Sequence, residues 1–127
     1  MFKTTAELTH EELSRSVRIW RKRIRERRQR METRRAHAWR VAHQGAELLK
    51  REFGAQRVMV FGSLCHPDLF YERSDVDLVV WGMDERQYLR AVGRLLDLDS
   101  EFSVDLVEFD HACPPLRQVI TQDGVEL

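Results

Sequence analysis

From Thr9 to Phe53 the chain contains no proline, and Gly45 is its only glycine. Apolar residues recur every three or four positions: Leu13, Val17, Trp20, Ile24, Met31, Ala38, Ala42, Ala46, Leu49 and Phe53. That spacing puts them on one stripe of an α-helix. Thr9-His10-Glu11-Glu12 fits a capping box, with Thr9 as N-cap and Glu12 reaching back. Gly54 suits the position just past the last turn. A continuous helix of this length would run about 65 Å at about 1.5 Å per residue. The remaining globular part, about 75 residues, has a radius of gyration near 11 Å by the usual scaling. The helix therefore either projects beyond a small domain or breaks near Thr33 and folds back. The stripe thins there, with Arg27, Arg28, Arg34 and Arg35 around Met31.

The rest of the chain alternates short apolar runs with helical patterns. Val58 to Phe61 predicts a buried strand, and Gly62-Ser63 a turn leading into a short helical stretch. His66 to Ser74 is loop, broken by Pro67. Asp75 to Trp81 predicts a second strand. Asp84 can cap a helix from Glu85 to Leu96, with Tyr88, Leu89, Val92, Leu95 and Leu96 facing inward. Phe102 to Phe109 predicts a third strand. Pro114 and Pro115 can open a last helix, Leu116 to Gln122, and Val125-Glu126-Leu127 a short edge strand. Residues 1–8 are expected to fray.

Hydrophobic residues make up 43% of the chain, enough for one modest core. No apolar run approaches a membrane span, and no apolar segment follows Met1 as a signal peptide would require. Cys65 and Cys113 lack metal-ligand spacing, which suggests reduced thiols and a cytoplasmic setting. The net charge of zero hides a split. Residues 1–50 hold fourteen Lys and Arg against six Asp and Glu, a net +8. Residues 51–127 hold seven against fifteen, a net −8. The sequence thus divides into a basic helical extension, 1–53, and an acidic domain, 54–127.

The chemistry concentrates in that acidic part. Side chains alternate across a strand, so Asp75 and Asp77 point to one face. Asp105 joins them if the second and third strands pair with matching faces. Three carboxylates so placed repel one another, and a divalent cation relieves the repulsion. Mg²⁺ prefers oxygen ligands and is shared between carboxylates and substrate phosphates. Two such ions can stabilise both the attacking and the leaving oxygen of a displacement at phosphorus. Asp75 and Asp77 would bridge both ions, and Asp105 would hold the one nearer the acceptor hydroxyl. Gly62 lets a phosphate approach the backbone, and Ser63 offers a hydroxyl and an N–H at a helix start. Asp97-Leu98-Asp99 repeats the spacing without a flanking strand or Gly-Ser, and is expected to be a solvated cap. Glu108 and Asp110 are expected to be solvated strand-end charges. His10, His37, His43 and His111 are scattered and suggest no metal site.

Val60-Phe61-Gly62-Ser63, Ser74-Asp75-Val76-Asp77-Leu78 and Val104-Asp105-Leu106-Val107 together resemble the minimal nucleotidyltransferases (MNT) of the DNA polymerase β-like superfamily. The tail, Pro115 to Ile120 and then Asp123-Gly124-Val125, resembles that family's closing helix and strand. The resemblance covers about Leu49 to Leu127. It implies an α+β fold, a small mixed β-sheet with helices on one side, here preceded by the long N-terminal helix. It also implies that Gly62 and Ser63 bind the triphosphate of ATP and that Asp75, Asp77 and Asp105 bind Mg²⁺. Relatives commonly carry an arginine soon after Gly-Ser, where this chain has Leu64-Cys65-His66. His66 and Arg73 are either substitutes or ordinary loop residues. Many stand-alone MNT proteins accompany a HEPN-type ribonuclease toxin. The resemblance therefore implies an antitoxin that transfers AMP to a tyrosine of that partner.

Between Arg15 and Arg35 eleven residues are Lys or Arg, opposed by Glu26 and Glu32 alone. Something anionic is expected against this helix: RNA, an acidic protein partner, or the acidic half of a second copy. Leu13, Val17, Trp20 and Ile24 add an apolar seam, which favours a protein contact over RNA and also suits self-association. A nucleotidyltransferase acting on a small molecule such as an antibiotic, and a non-enzymatic binding module, are the competing readings.

Overall fold

A computed structural model describes residues 4–127, so the expectation for residues 1–3 lies outside the described residues. Thr5–Glu7 forms a 3-10 turn. The capping box is present: Glu12 accepts from the Thr9 N–H at 3.2 Å, and Thr9 Oγ1 accepts from the Glu12 N–H at 3.1 Å. Helix α1 then runs unbroken from His10–Phe53 through Thr33. Gly54, at φ +67°, lets the Ala55 N–H reach back to the Leu49 carbonyl at 3.1 Å and close the last turn.

The chain divides into two compact units, Met1–Thr33 and Arg34–Leu127. In the first, Leu13, Val17, Ile19, Trp20 and Ile24 are exposed. The second contains the sheet. Its strands are β1 (Arg57–Phe61), β2 (Val76–Trp81), β3 (Val104–Glu108) and β4 (Val125–Glu126), in the order β3-β2-β1-β4. β1 pairs antiparallel with β2 and β4, while β2 and β3 run parallel. The sheet is therefore mixed, in an α+β fold. A parallel pair needs a crossover, which helix α2 (Tyr88–Leu96) supplies.

Strand alternation sorts the core into two layers. Val58, Val60, Val76, Leu78, Val80, Val104 and Leu106 pack with Ala38, Val41, Ala42, Ala46 and Leu49 of α1 and Ala91 and Leu95 of α2. Gly45 lets α1 come close, since a Cβ there would lie 2.8 Å from Leu78 Cδ1. The expectation of helices on one side holds for these two. Helix α3 (Pro114–Asp123) packs on the opposite face, where Ile120 joins Met59, Phe61 and Val79. Those odd-numbered strand residues are apolar as well and need a cover of their own.

Helix α2 corrects one expectation. Asp84 caps a 3-10 turn, Glu85–Gln87, and the α-helix starts only at Tyr88. Its inner face is Tyr88, Ala91, Val92 and Leu95, spaced i, i+3, i+4 and i+7. Leu89 and Leu96 each follow an inward residue by one, about 100° round the helix. They are exposed, by 81% and 52%.

Candidate active site

The three aspartates emerge on the face opposite α1 and α2. Phe61 pairs with Asp77 across β1 and β2, and Asp77 pairs with Asp105 across β2 and β3. All three positions therefore share the face that also carries Met59 and Val79. Asp75 directly precedes β2, two residues before Asp77, and points the same way. Asp75 and Asp105 are exposed, while Asp77 between them is half-buried.

That position perturbs Asp77. Burial pushes its carboxyl up from 3.8 to about 6, and the charges of Asp105 and Asp75 push the same way. Asp105 also lies within hydrogen-bonding reach. Each of these influences destabilises the ionised form, and a cation among the carboxylates would reverse them. The donor set is all oxygen, which suits Mg²⁺.

Gly62 is the other wall. It leaves β1 at φ +80°, in the region that side chains disfavour, and begins the 3-10 turn Gly62–Cys65. A Cβ there would lie 2.5 Å from Asp77 Oδ2. Glycine is thus required both by the turn and by the carboxylate behind it. Ser63, half-buried, follows it in the same turn.

Arg35 supports this turn from behind, a role the periodicity of the basic helix conceals. Its Nε and Nη2 donate to the Leu64 carbonyl at 3.1 and 2.8 Å. Its neighbour Arg34 lies 4.2 Å over the Phe102 ring. Burial raises the Cys65 thiol, despite Arg35 nearby, and Sγ donates to the Val60 carbonyl at 3.4 Å. His66 lies 3.6 Å from Asp123 at the end of α3, and Arg73 is exposed.

Asp97 is the exposed C-cap of α2, as expected, but Asp99 is not simply solvated. Asp99 Oδ2 meets His37 Nε2 at 2.8 Å, and Asp99 Oδ1 accepts from the Glu101 N–H at 2.8 Å. Burial pushes the Asp99 carboxyl up, but the Glu101 N–H and His37 outweigh it, and the net direction is down. Asp99 thereby ties the α2–β3 loop to α1. Glu108 also departs from expectation, with a side chain only 15% exposed. Asp110 is exposed, as expected. Among the described residues, the three metal-type donor groups that meet within 4.8 Å belong to Glu85, Glu108 and His111, away from the aspartates.

No helix among the described residues is long and apolar enough to cross a membrane. No curated protein matches the chain. Solved structures do. A chain from a crystal structure of a toxin–antitoxin with AMP-PNP is 23% identical, covering 65% of this chain and 69% of its own, at a TM-score of 0.54. A chain from the toxin–antitoxin MntA-HepT is 21% identical over 68% of each, at 0.52. A chain from the tri-AMPylated Shewanella oneidensis HEPN toxin in complex with MNT antitoxin is 20% identical over 70% of each, at 0.53. These likenesses establish a shared fold. The family model for polymerase β nucleotidyltransferases matches residues 44–127, the stretch that holds the Gly62-Ser63 turn and all three aspartates, and the chain belongs to that family.

Proposed function

We propose that this protein is an ATP-dependent adenylyltransferase that modifies a tyrosine of a HEPN-type toxin and serves as its antitoxin. The observation that carries the reading is the register that sets Asp77 beside Asp105, with Gly62 against Asp77 Oδ2. A carboxylate cluster facing a tight backbone turn is the arrangement that phosphoryl chemistry requires. Structures of the same fold are described as a toxin–antitoxin with AMP-PNP and as a tri-AMPylated HEPN toxin with its MNT antitoxin, which supports both nucleotide and partner.

In the reaction, the tyrosine oxygen attacks the α-phosphorus of ATP. The bond from that phosphorus to the bridging oxygen breaks, and pyrophosphate leaves. Asp75, Asp77 and Asp105 would hold Mg²⁺, which when bound neutralises phosphate charge and polarises the reacting phosphoryl group. Asp105, exposed at the edge of the cluster, would take the hydroxyl proton. Gly62 and the Ser63 N–H and hydroxyl receive the triphosphate. Residues 54–127 carry this chemistry. The basic extension, 1–53, contributes to partner binding through its first half and walls the domain with its second.

The test is mass spectrometry of the co-encoded HEPN-type protein after incubation with this protein, ATP and Mg²⁺. AMP on a tyrosine peptide is the expected result. An unmodified partner, together with neutralisation in cells that survives Asp77→Ala, would leave the protein a binding module only.

A further inference from the structure

A second group of ligand-type side chains lies at the far end of β3, outside the aspartate cluster. Glu108 ends β3, His111 closes the 3-10 turn Phe109–His111, and Glu85 opens the 3-10 turn ahead of α2. His111 Nε2 lies 3.1 Å from Glu85 Oε2 and 3.2 Å from Glu108 Oε2. Val80, Gly82, Met83 and Asp110 complete a recess of ≈ 140 Å³ around them. Glu108 lies on the opposite sheet face from Asp105, about 10 Å further along the strand at about 3.3 Å per residue.

The geometry points to a binding site for a single borderline divalent ion of the Zn²⁺ type, held by Glu85, Glu108 and His111. Nitrogen and carboxylate oxygen ligands about 2.0–2.2 Å from a tetrahedral ion stand about 3.3 Å apart. The two separations from Nε2 already match that spacing. An imidazole in the set favours Zn²⁺ over Mg²⁺. Protonation alone leaves the group incompletely matched, because one Nε2–H faces two carboxylates. Glu108 Oε1 is buried without a hydrogen-bond partner as well, so His111, which meets only Oε2, leaves the burial of this carboxylate incompletely offset. A cation in place of the Nε2 proton compensates both carboxylates at once. The Glu108-x-x-His111 spacing is the sequence trace of the site.

Such an ion would pin three segments that otherwise meet through side chains: the start of α2, the end of β3 and the turn before α3. Binding to the folded state alone raises Tm, by about 10 °C for a domain of this size at a hundredfold excess over Kd.

The experiment is calorimetric titration of untagged, nucleotide-free protein with Zn²⁺, paired with thermal melts. One equivalent should bind, persist in Asp77→Asn and disappear in both His111→Ala and Glu108→Gln, with the Tm rise following it. On the wild-type protein, nitrogen NMR of the imidazoles should show His111 Nε2 moving to the metal-bound range. Zn²⁺ binding that His111→Ala leaves intact would overturn the assignment. So would absence of binding with a lower metal-free Tm in His111→Ala, since His111 would then be an imidazolium clamp between two carboxylates. The NMR readout decides the case even if a variant fails to fold.

Discussion

Asp77 carries opposing demands. In the ion-free protein its carboxyl is raised to about 6 by burial and by Asp105 and Asp75. Between 3.8 and that value the folded state keeps a proton that the unfolded state has released. The contribution of Asp77 to stability is therefore fully present below this window and falls as pH rises through it. Asp77→Asn removes the charge, so the ion-free variant should melt higher than wild type at pH 7. Discounted for its half-exposed position, about 1 kcal/mol, or roughly 4 °C, is the expected gain. Activity should vanish in the same variant, and a melting curve beside an activity assay checks both. Asp99 has the opposite sign: its carboxyl is lowered, so its contribution is present at neutral pH and lost on acidification. Gly62→Ala should lose activity and about 1–3 kcal/mol of stability, measured by denaturant unfolding, from its left-handed backbone and the contact with Asp77. The aspartates and Gly62 were legible in the sequence because strand alternation and a Gly-Ser turn are local signals. Arg35 and Glu108 were not. Their roles depend on which carbonyl or histidine the fold brings opposite, and Arg35 looks like any other member of a basic run.

At the scale of elements, long periodic segments were legible and their edges less so. α1, with its capping box and Gly54, follows from patterns contained within one helix. The inner face of α2 was legible in part: Tyr88, Val92 and Leu95 face the core, while Leu89 and Leu96, each one step of about 100° past an inward residue, turn outward. The cover over Met59, Phe61 and Val79 was also missed, since two apolar faces of one strand leave open which helix takes which. The tight crossing at Gly45 yields a prediction in which two effects compete. Alanine gains up to about 1 kcal/mol of helix propensity, while an added methyl in a full core loses about 1–3 kcal/mol. Leu78 and Leu95 are fully buried and cannot easily give way, so Gly45→Ala should be destabilising on balance in urea unfolding. Arg35→Ala removes a charged donor from the Leu64 carbonyl, a bond worth about 1.5–3 kcal/mol. KM for ATP should rise about tenfold or more, and Arg35→Lys, which restores the charge but not the fork, should recover only part of it.

The whole molecule joins a net +8 half to a net −8 half. The acidic part holds the aspartates and exposes Leu69, Tyr71 and Leu89 singly around the domain. On the basic half Leu13, Val17, Trp20 and Ile24 are exposed at helical spacing, and the proposed partner contact uses them. Trp20→Ala, at a side chain 67% exposed, should change stability by less than about 0.5 kcal/mol. The same substitution should weaken partner binding about tenfold or more, as loss of an aromatic anchor does; calorimetry of the pair reads it. Nucleotidyl transfer to that partner is the central claim. Incubation of the purified pair with α-labelled ATP and Mg²⁺ tests it most directly. The label should enter the partner with wild-type protein and fail to enter it with Asp77→Asn. An unlabelled partner, or equal labelling by both proteins, would contradict the account.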